Sequence, residues 1–284
     1  MNAAYHVRVT DQLPDASRIS SLLDPSGIFD EVRVVATTGS TNHDVSALAR
    51  GGAGEGLVLV SGEQTAGRGR LDRSWVSPPG ASIAMSLLLK PLPAFPQWGW
   101  LSLLAGMAVA SAVEDLAPDP TDVTLKWPND VLLRGDKLCG ILSERIEHAD
   151  GARAVVGIGI NVSLTRDQLP VPAATSLALA GLPTDRDVIV AGVLNHFSRY
   201  YRQWSLSGSL REEYQASCAS IGAELTIVAE KAIEKVRSTG EALALDPLNA
   251  FERKVVHDVV TAAGLSSVSH GVDPERYIEI QPAG

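Results

Sequence analysis

"VTLKWPNDVLL", residues 123–133, reads as a strand interrupted by a Trp-Pro-Asn-Asp turn. Backbone before Pro128 is pushed toward extended geometry, so the turn falls inside a chain that is extended on both sides. Apolar runs of strand length follow it, "KLCGILSERI" (137–146) and "RAVVGIGINV" (153–162). Two more precede it, "LVLVSG" (57–62) and "SIAMSLLLKP" (82–91). Helical patterns cover residues 98–116, 187–204 and 209–218. Strands with helices segregated from them predict an α+β fold, a mixed β-sheet packed with helices.

The chain has 284 residues, enough for one large domain or an ordinary domain plus a small one. Its net charge of −9 argues against a chain that binds nucleic acid nonspecifically along its whole length. Cys139 and Cys218 have neither metal-ligand spacing nor a disulfide framework, so each reads as a small buried hydrophobe in a reducing compartment. The N-terminus lacks the apolar core of a signal peptide. The longest apolar stretch, "WGWLSLLAGMAVASAVEDLA" (98–117), is interrupted by two glycines and closes on Glu114 and Asp115. It reads as a buried helix rather than a membrane span, and a cytoplasmic protein is expected.

Four segments carry polar groups that no sheet or helix requires: "TTGSTNHD" (37–44), "GEQTAGRGRLDRSW" (62–75), "LKWPNDVLLRGDKLCGILSE" (125–144) and "VVGIGINVS" (155–163). The second gathers Arg68, Arg70 and Arg73 about Gly67 and Gly69. Glycine lets backbone approach a ligand closely, and arginine's planar fork matches phosphate or carboxylate oxygens. An anion cradle is the expectation. Singly, the other residues have plainer readings. Ser40, Thr41 and Asn42 would cap a helix starting near His43, Lys126 would be a solvated strand-end charge, and Asn161 a turn residue. "GIGIN" (157–161) lacks the third glycine and the strand-to-helix setting of a dinucleotide fingerprint.

In joint order and spacing the four segments resemble the catalytic domain of biotin protein ligases over residues 34–218. Gly-Arg-Gly-Arg and Lys-Trp-Pro-Asn-Asp set that family apart from the related lipoate ligases. The resemblance implies two half-reactions. Biotin and MgATP give biotinoyl-AMP and pyrophosphate; a lysine of a biotin carboxyl carrier protein, of acetyl-CoA carboxylase or a related carboxylase, then displaces AMP. It implies biotin contacts from Ser40, Thr41, Asn42, Gln64, Gly67, Arg68, Gly69, Arg70 and Lys137. Nucleotide contacts are implied for Arg70, Arg73, Trp75, Asn129 and Asn161, with Trp75 stacked on adenine.

Two anions must meet in the first step, and Arg68, Arg70 and Lys137 are the groups implied to neutralise them. Lys126 belongs near the phosphates or near the attacking lysine. Asp130 accepts that lysine's proton, orients its amine, or caps its own turn. Mg2+ enters with ATP, and no metal ligands of the chain's own are expected. A competing reading is a non-catalytic biotin- or RNA-binding protein on a degenerate ligase domain.

The resemblance also sets domain limits. Residues 1–33 form a lead segment with little periodicity and no helix-turn-helix. "IGAELTIV" (221–228) alternates like the first strand of the family's small C-terminal β-barrel, so residues 219–228 are expected to begin a truncated barrel. Residues 229–284 resemble instead the Arg-x-x-x-His domain of Jag-type RNA-binding proteins, a small α/β domain, with Arg253 and His257 filling the motif. Asn249 with Glu252 starts a helix there and Gly264 stops it. Phe251, Val255, Val259 and Ala262 are expected on its apolar side. Arg253 and His257 lie opposite, where single-stranded nucleic acid is met or where the helix is merely solvated.

Overall fold

Lys126 pairs with Asp130 across the Trp127–Asn129 turn, in which the Trp127–Pro128 peptide is cis. The computed structural model describes residues 13–70, 73–117, 122–248, 250–272 and 275–282. The chain divides into two units, Met1–Tyr214 and Gln215–Gly284. The first begins with α1 (Ala16–Leu22), β1 (Glu31–Val35), α2 (Thr41–Arg50), β2 (Leu57–Ser61), β3 (Ser82–Leu89) and α3 (Trp100–Leu116). It continues with β4 (Val123–Lys126), β5 (Asp130–Leu133), β6 (Asp136–Ile146), β7 (Arg153–Asn161) and α4 (Arg186–Ser207), and α5 (Arg211–Ser217) runs across the boundary between the units.

The sheet has seven strands in the order β1-β2-β3-β7-β6-β5-β4. Only β1 and β2 pair in parallel, so the sheet is mixed, as its sequence pattern implies. Strands β2 and β3 are buried throughout, which explains why they read as unbroken apolar runs rather than alternating ones. The β5–β6 hairpin turns on Arg134 and Gly135, both at positive φ (53° and 84°), the geometry of a two-residue turn matched to strand twist.

Two helical layers cover the two faces. On one, Val45 and Ala49 of α2 pack with Leu57, Leu59, Leu88, Ile146 and Val155. On the other, α3 lies so near that a Cβ on Gly106 would be 3.3 Å from Leu125 and 3.6 Å from Ile141. The segment Phe95–Leu116 is long and apolar enough to cross a membrane, but 56% of its most apolar stretch is buried within the protein. It forms a core helix.

The lead segment holds one short helix, α1. Asp15 caps α1 by accepting from Ser17 N and Arg18 N, while Arg18 pairs with Asp185 and Asp187 at the start of α4. Only Ile19 of α1 is buried, so the helix has too little periodicity to be read from sequence.

In the second unit come α6 (Ala219–Thr239), β8 (Leu243–Ala244), α7 (Ala250–Ala262), β9 (Ser266–His270) and β10 (Tyr277–Gln281). The three strands form an antiparallel sheet in the order β8-β10-β9. The expected barrel strand at 219–228 is wrong: "IGAELTIV" is helical, the N-terminal part of α6. Its local alternation loses to a longer 3.6-residue repeat, in which Leu225, Ala229, Ala232, Ile233 and Val236 pack against Val256, Val260, Ile278 and Ile280. Gly264, at φ 75°, does end the helical turn after α7, whereas Asn249 lies outside the described residues.

Candidate functional site

Three glycines on β6 and β7 lie beneath two side chains of a cleft. Gly140 pairs with Gly159, and Leu142 with Gly157. A Cβ on Gly159 would lie 2.6 Å from Trp75 Cε2, one on Gly140 2.9 Å from Trp75 Cζ3, and one on Gly157 would overlap Asn42 Oδ1. Any side chain there would lift Trp75 and Asn42 off the sheet. Glycine is needed for this close approach, not for a turn. Above this floor the cleft encloses about 460 Å³.

At one end stand Ser40, Thr41, Asn42 and Gln64. Ser40 is the N-cap of α2, so the capping role and the cleft position coexist. Thr41 donates from N and Oγ1 to Gln64 Oε1 at 2.8 and 3.0 Å, which fixes the Gln64 amide and leaves Nε2 as its donor for a ligand. Asn42 Nδ2 donates to Leu142 O (3.1 Å) and Glu144 Oε2 (2.7 Å), and Ser86 Oγ lies 2.6 Å from Asn42 Oδ1. Ser40, Thr41 and Asn42 are each at most 5% exposed. Short hydroxyl and amide groups, fixed in direction, suit a compact neutral hydrogen-bonding ligand. Ser86 was missed; its signal is a serine within the apolar strand "SIAMSLLL".

At the other end, residues 67–70 and 73–75 pair as the arms of a small hairpin. Trp75 N donates to Gly67 O, Gly69 N to Arg73 O, and Arg68 bridges to Ser74. Arg70, Arg73 and Lys126 are exposed cleft residues that make no ion pair among the described residues. Arg68 differs: its guanidinium donates to Glu144 Oε2 at 2.7 Å. Lys137 Nζ donates to Asp130 Oδ1 at 2.6 Å. Asn129 borders the cleft and donates to Ile141 O.

Two expected contacts do not border the cleft. Gly67 is buried beneath the hairpin, where a Cβ would meet Trp75 O at 2.5 Å. Asn161 is 5% exposed and spends its amide on Thr175 O, so its proposed nucleotide contact is corrected to a structural tie. Cys139 is wholly buried, and desolvation pushes its thiol far above the ordinary range.

In the second unit the motif residues are placed differently from expectation. Arg253 is 6% exposed and donates to Leu248 O, and His257 lies half-buried with Nδ1 2.5 Å from Ser267 Oγ and Nε2 3.2 Å from Ser269 Oγ. The core side of α7 is Val256 and Val260, joined by the partly buried Val259, while Ala262 is exposed and nothing is described of the Phe251 side chain. The expected apolar face was therefore turned by about one residue. An arginine three residues before Val256 sits on the buried side because its fork satisfies a loop carbonyl.

The fold, a mixed sheet with helical layers, and the cleft of short polar groups beside an arginine-bearing hairpin define a class of ligases, and comparison with known proteins agrees. The model of the biotin/lipoate A/B protein ligase family matches residues 37–161, and that of the Arg-x-x-x-His domain matches residues 223–282. A biotin–[acetyl-CoA-carboxylase] ligase of Mycobacterium tuberculosis is 37% identical over 224 residues, covering 78% of this chain and 83% of the relative. One of Paracoccus denitrificans is 34% identical over 197 residues, covering 66% and 81%. The Aquifex aeolicus biotin protein ligase, solved with biotin and ATP, superposes with a TM-score of 0.52 at 30% identity, covering 63% of this chain and 73% of that one. The chain belongs to the biotin/lipoate A/B protein ligase family.

Proposed function

We infer that this chain is an ATP-dependent biotin protein ligase, which forms biotinoyl-AMP and transfers biotin to a lysine of a biotin carboxyl carrier protein, that of acetyl-CoA carboxylase or a related carboxylase. The observation that carries this reading is one cleft joining a ring site, Ser40, Thr41 and Gln64, to the cations Arg70, Arg73, Lys126 and Lys137. Incubation with biotin, MgATP and an apo carrier domain, read by avidin blot, tests it. Absence of labelled carrier would leave the non-catalytic biotin-binding reading.

In the first half-reaction a biotin carboxylate oxygen bonds the α-phosphorus as the bond to pyrophosphate breaks. Gln64 Nε2 and the α2 hydroxyls orient the ring, and Lys137 and Arg70 offset the charge of the two converging anions. Arg73 and Lys126 face the phosphates, Trp75 stacks on adenine, and Asn129 supports the nucleotide side. In the second half-reaction the carrier lysine's nitrogen bonds the acyl carbon, AMP leaves, and Asp130 takes the amine's proton.

Mg2+ enters as part of MgATP. The carboxylates nearest the cleft, Asp130 and Glu144, each already hold a cation, and no group of three or more His, Cys, Asp or Glu residues among those described is placed to cage a metal. The ligase chemistry belongs to the first unit, in a cytoplasmic protein. For the second unit, single-stranded nucleic acid is the partner implied by its Arg-x-x-x-His domain. Ten acidic against six basic residues from 215 to 284 limit that contact to a weak one.

A further inference from the structure

Glu144 lies on β6, and no role in the ligase reaction has been given to it above. One of its oxygens, Oε2, accepts from Asn42 Nδ2 and from Arg68 NH2, each at 2.7 Å. Asn42 is on α2 at the ring end of the cleft, 4% exposed, and Arg68 is in the hairpin at the phosphate end. The same carboxylate therefore touches both halves of the site. The two contacts differ in environment: the Arg68 side chain is 47% exposed, whereas the Asn42 amide is enclosed by Ser86, Leu142 and the Gly157 backbone.

We propose that Glu144 is a positioning residue that latches the Gly-Arg-Gly-Arg hairpin to the sheet through Arg68 and fixes the direction of the Asn42 amide beneath the biotin ring. The inference rests on the ligase reading for its kinetic consequences, but the latch itself is a property of the protein alone. It also reassigns Arg68. A guanidinium already spent on Glu144 holds the loop that carries Arg70 and Arg73; it is not a third cation aimed at the phosphates. An exposed ion pair contributes little, so the latch is a weak tie. The enclosed Asn42 contact is the stronger of the two, because a buried amide hydrogen left without its acceptor bears the full desolvation penalty.

Two substitutions separate the contacts. Glu144→Gln keeps an acceptor oxygen for Asn42 but removes the charge that holds Arg68, whereas Glu144→Ala removes both. Hydrogen exchange of the hairpin, residues 65–75, is measured on the full chain without substrates, with β7 as an internal control. Exchange of the hairpin is expected to rise about threefold in Glu144→Gln, Glu144→Ala and Arg68→Ala alike, with β7 unchanged. The double variant Glu144→Gln/Arg68→Ala is expected to be no faster than either single one, since both remove one contact. In pyrophosphate exchange the biotin KM is expected to stay within about twofold in Glu144→Gln and to rise about tenfold in Glu144→Ala.

Hairpin exchange equal to the parent in all three single variants would overturn the latch, and equal biotin KM values in the Gln and Ala variants would overturn the Asn42 role. A rise in exchange across β7 as well would mean that Glu144 serves folding alone. If the parent forms no adenylate, the ligase reading fails while the exchange data still decide the latch.

Discussion

Lys137 Nζ lies 2.6 Å from Asp130 Oδ1, so two residues assigned to successive half-reactions are partners in one ion pair. They sit on the adjoining strands β5 and β6, and their side chains are 33% and 20% exposed. A partly exposed pair of this kind is weak, and converging carboxylate and phosphate oxygens offer Lys137 more negative charge than Asp130 does. In the proposed reaction, Lys137 turning to them would release the Asp130 carboxylate to meet the carrier lysine.

Lys137→Ala is expected to slow biotinoyl-AMP formation by about ten- to a hundredfold, the worth of one charge-assisted hydrogen bond of about 1.5–3 kcal/mol. Binding of the biotin ring, which depends on Ser40, Thr41 and Gln64, should weaken far less. Pyrophosphate exchange set beside calorimetric biotin titration measures the two. Equal losses in both would remove the neutralising role from Lys137.

Asp130→Asn should leave pyrophosphate exchange within a few-fold of the parent and slow transfer to the carrier by about a hundredfold or more, the scale of general-base catalysis. The deficit should shrink as pH rises toward the carrier lysine's own pKa, because more of the amine then arrives unprotonated. Single-turnover transfer of preformed adenylate, followed across pH, is the measurement. A deficit that does not change with pH would make Asp130 a turn or orienting residue.

What could be read from the sequence, and what could not, follows from the range of the interactions involved. Strands β2, β3 and β7 are legible because burial on both faces writes itself as an apolar run. Thr41, Gln64, Arg70 and Lys137 are legible through motifs quoted from the sequence, and the fold brings them to one cleft. Glu144 stood inside a quoted motif without a role, since its partners are 76 and 102 residues away, one on the Gly-Arg-Gly-Arg hairpin and one on α2, and only the folded chain brings them together. Arg253 failed for the converse reason: charge suggested solvent, but a loop carbonyl five residues earlier draws the guanidinium inward.

Gly159→Ala tests the floor. Its Cβ would stand 2.6 Å from the Trp75 indole with strands paired on both sides, so Trp75 must move. Overpacking of this kind costs about 1–3 kcal/mol, and a displaced Trp75 should raise the ATP KM about tenfold while the biotin KM changes little. Steady-state kinetics and thermal unfolding read both effects. An unchanged ATP KM would separate Trp75 from the nucleotide.

Arg253→Ala should destabilise the second unit by about 1–3 kcal/mol, because the substitution empties a buried side-chain position and leaves the half-buried Leu248 carbonyl without this donor. Binding of a single-stranded RNA oligonucleotide, followed by fluorescence anisotropy, should be weak and detectable only at low salt. Its salt slope should not change in the variant. A slope reduced by about one, with thermal stability unchanged, would instead place Arg253 on a phosphate.

Arg70 closes the Gly-Arg-Gly-Arg run and is exposed at the cleft, with no ion pair among the described residues, so its guanidinium is available to clamp the α-phosphate of the intermediate. One charge-assisted bond of about 1.5–3 kcal/mol corresponds to roughly ten- to a hundredfold in the escape rate of a bound ligand. Arg70→Gly should therefore still make some adenylate, because Lys137 and Arg73 remain. Released biotinoyl-AMP is a mixed anhydride that any exposed lysine amine can open, so biotin should appear on a bystander such as serum albumin, with weaker preference for the carrier. The parent under the same conditions should label the carrier almost alone. An added trap of free amine should lower bystander labelling by the variant without affecting carrier labelling by the parent, since only the variant's intermediate passes through solution. If Arg70→Gly is active yet labels only the carrier, retention of the intermediate lies elsewhere in the hairpin, with Arg73 as its other exposed arginine that makes no ion pair among the described residues.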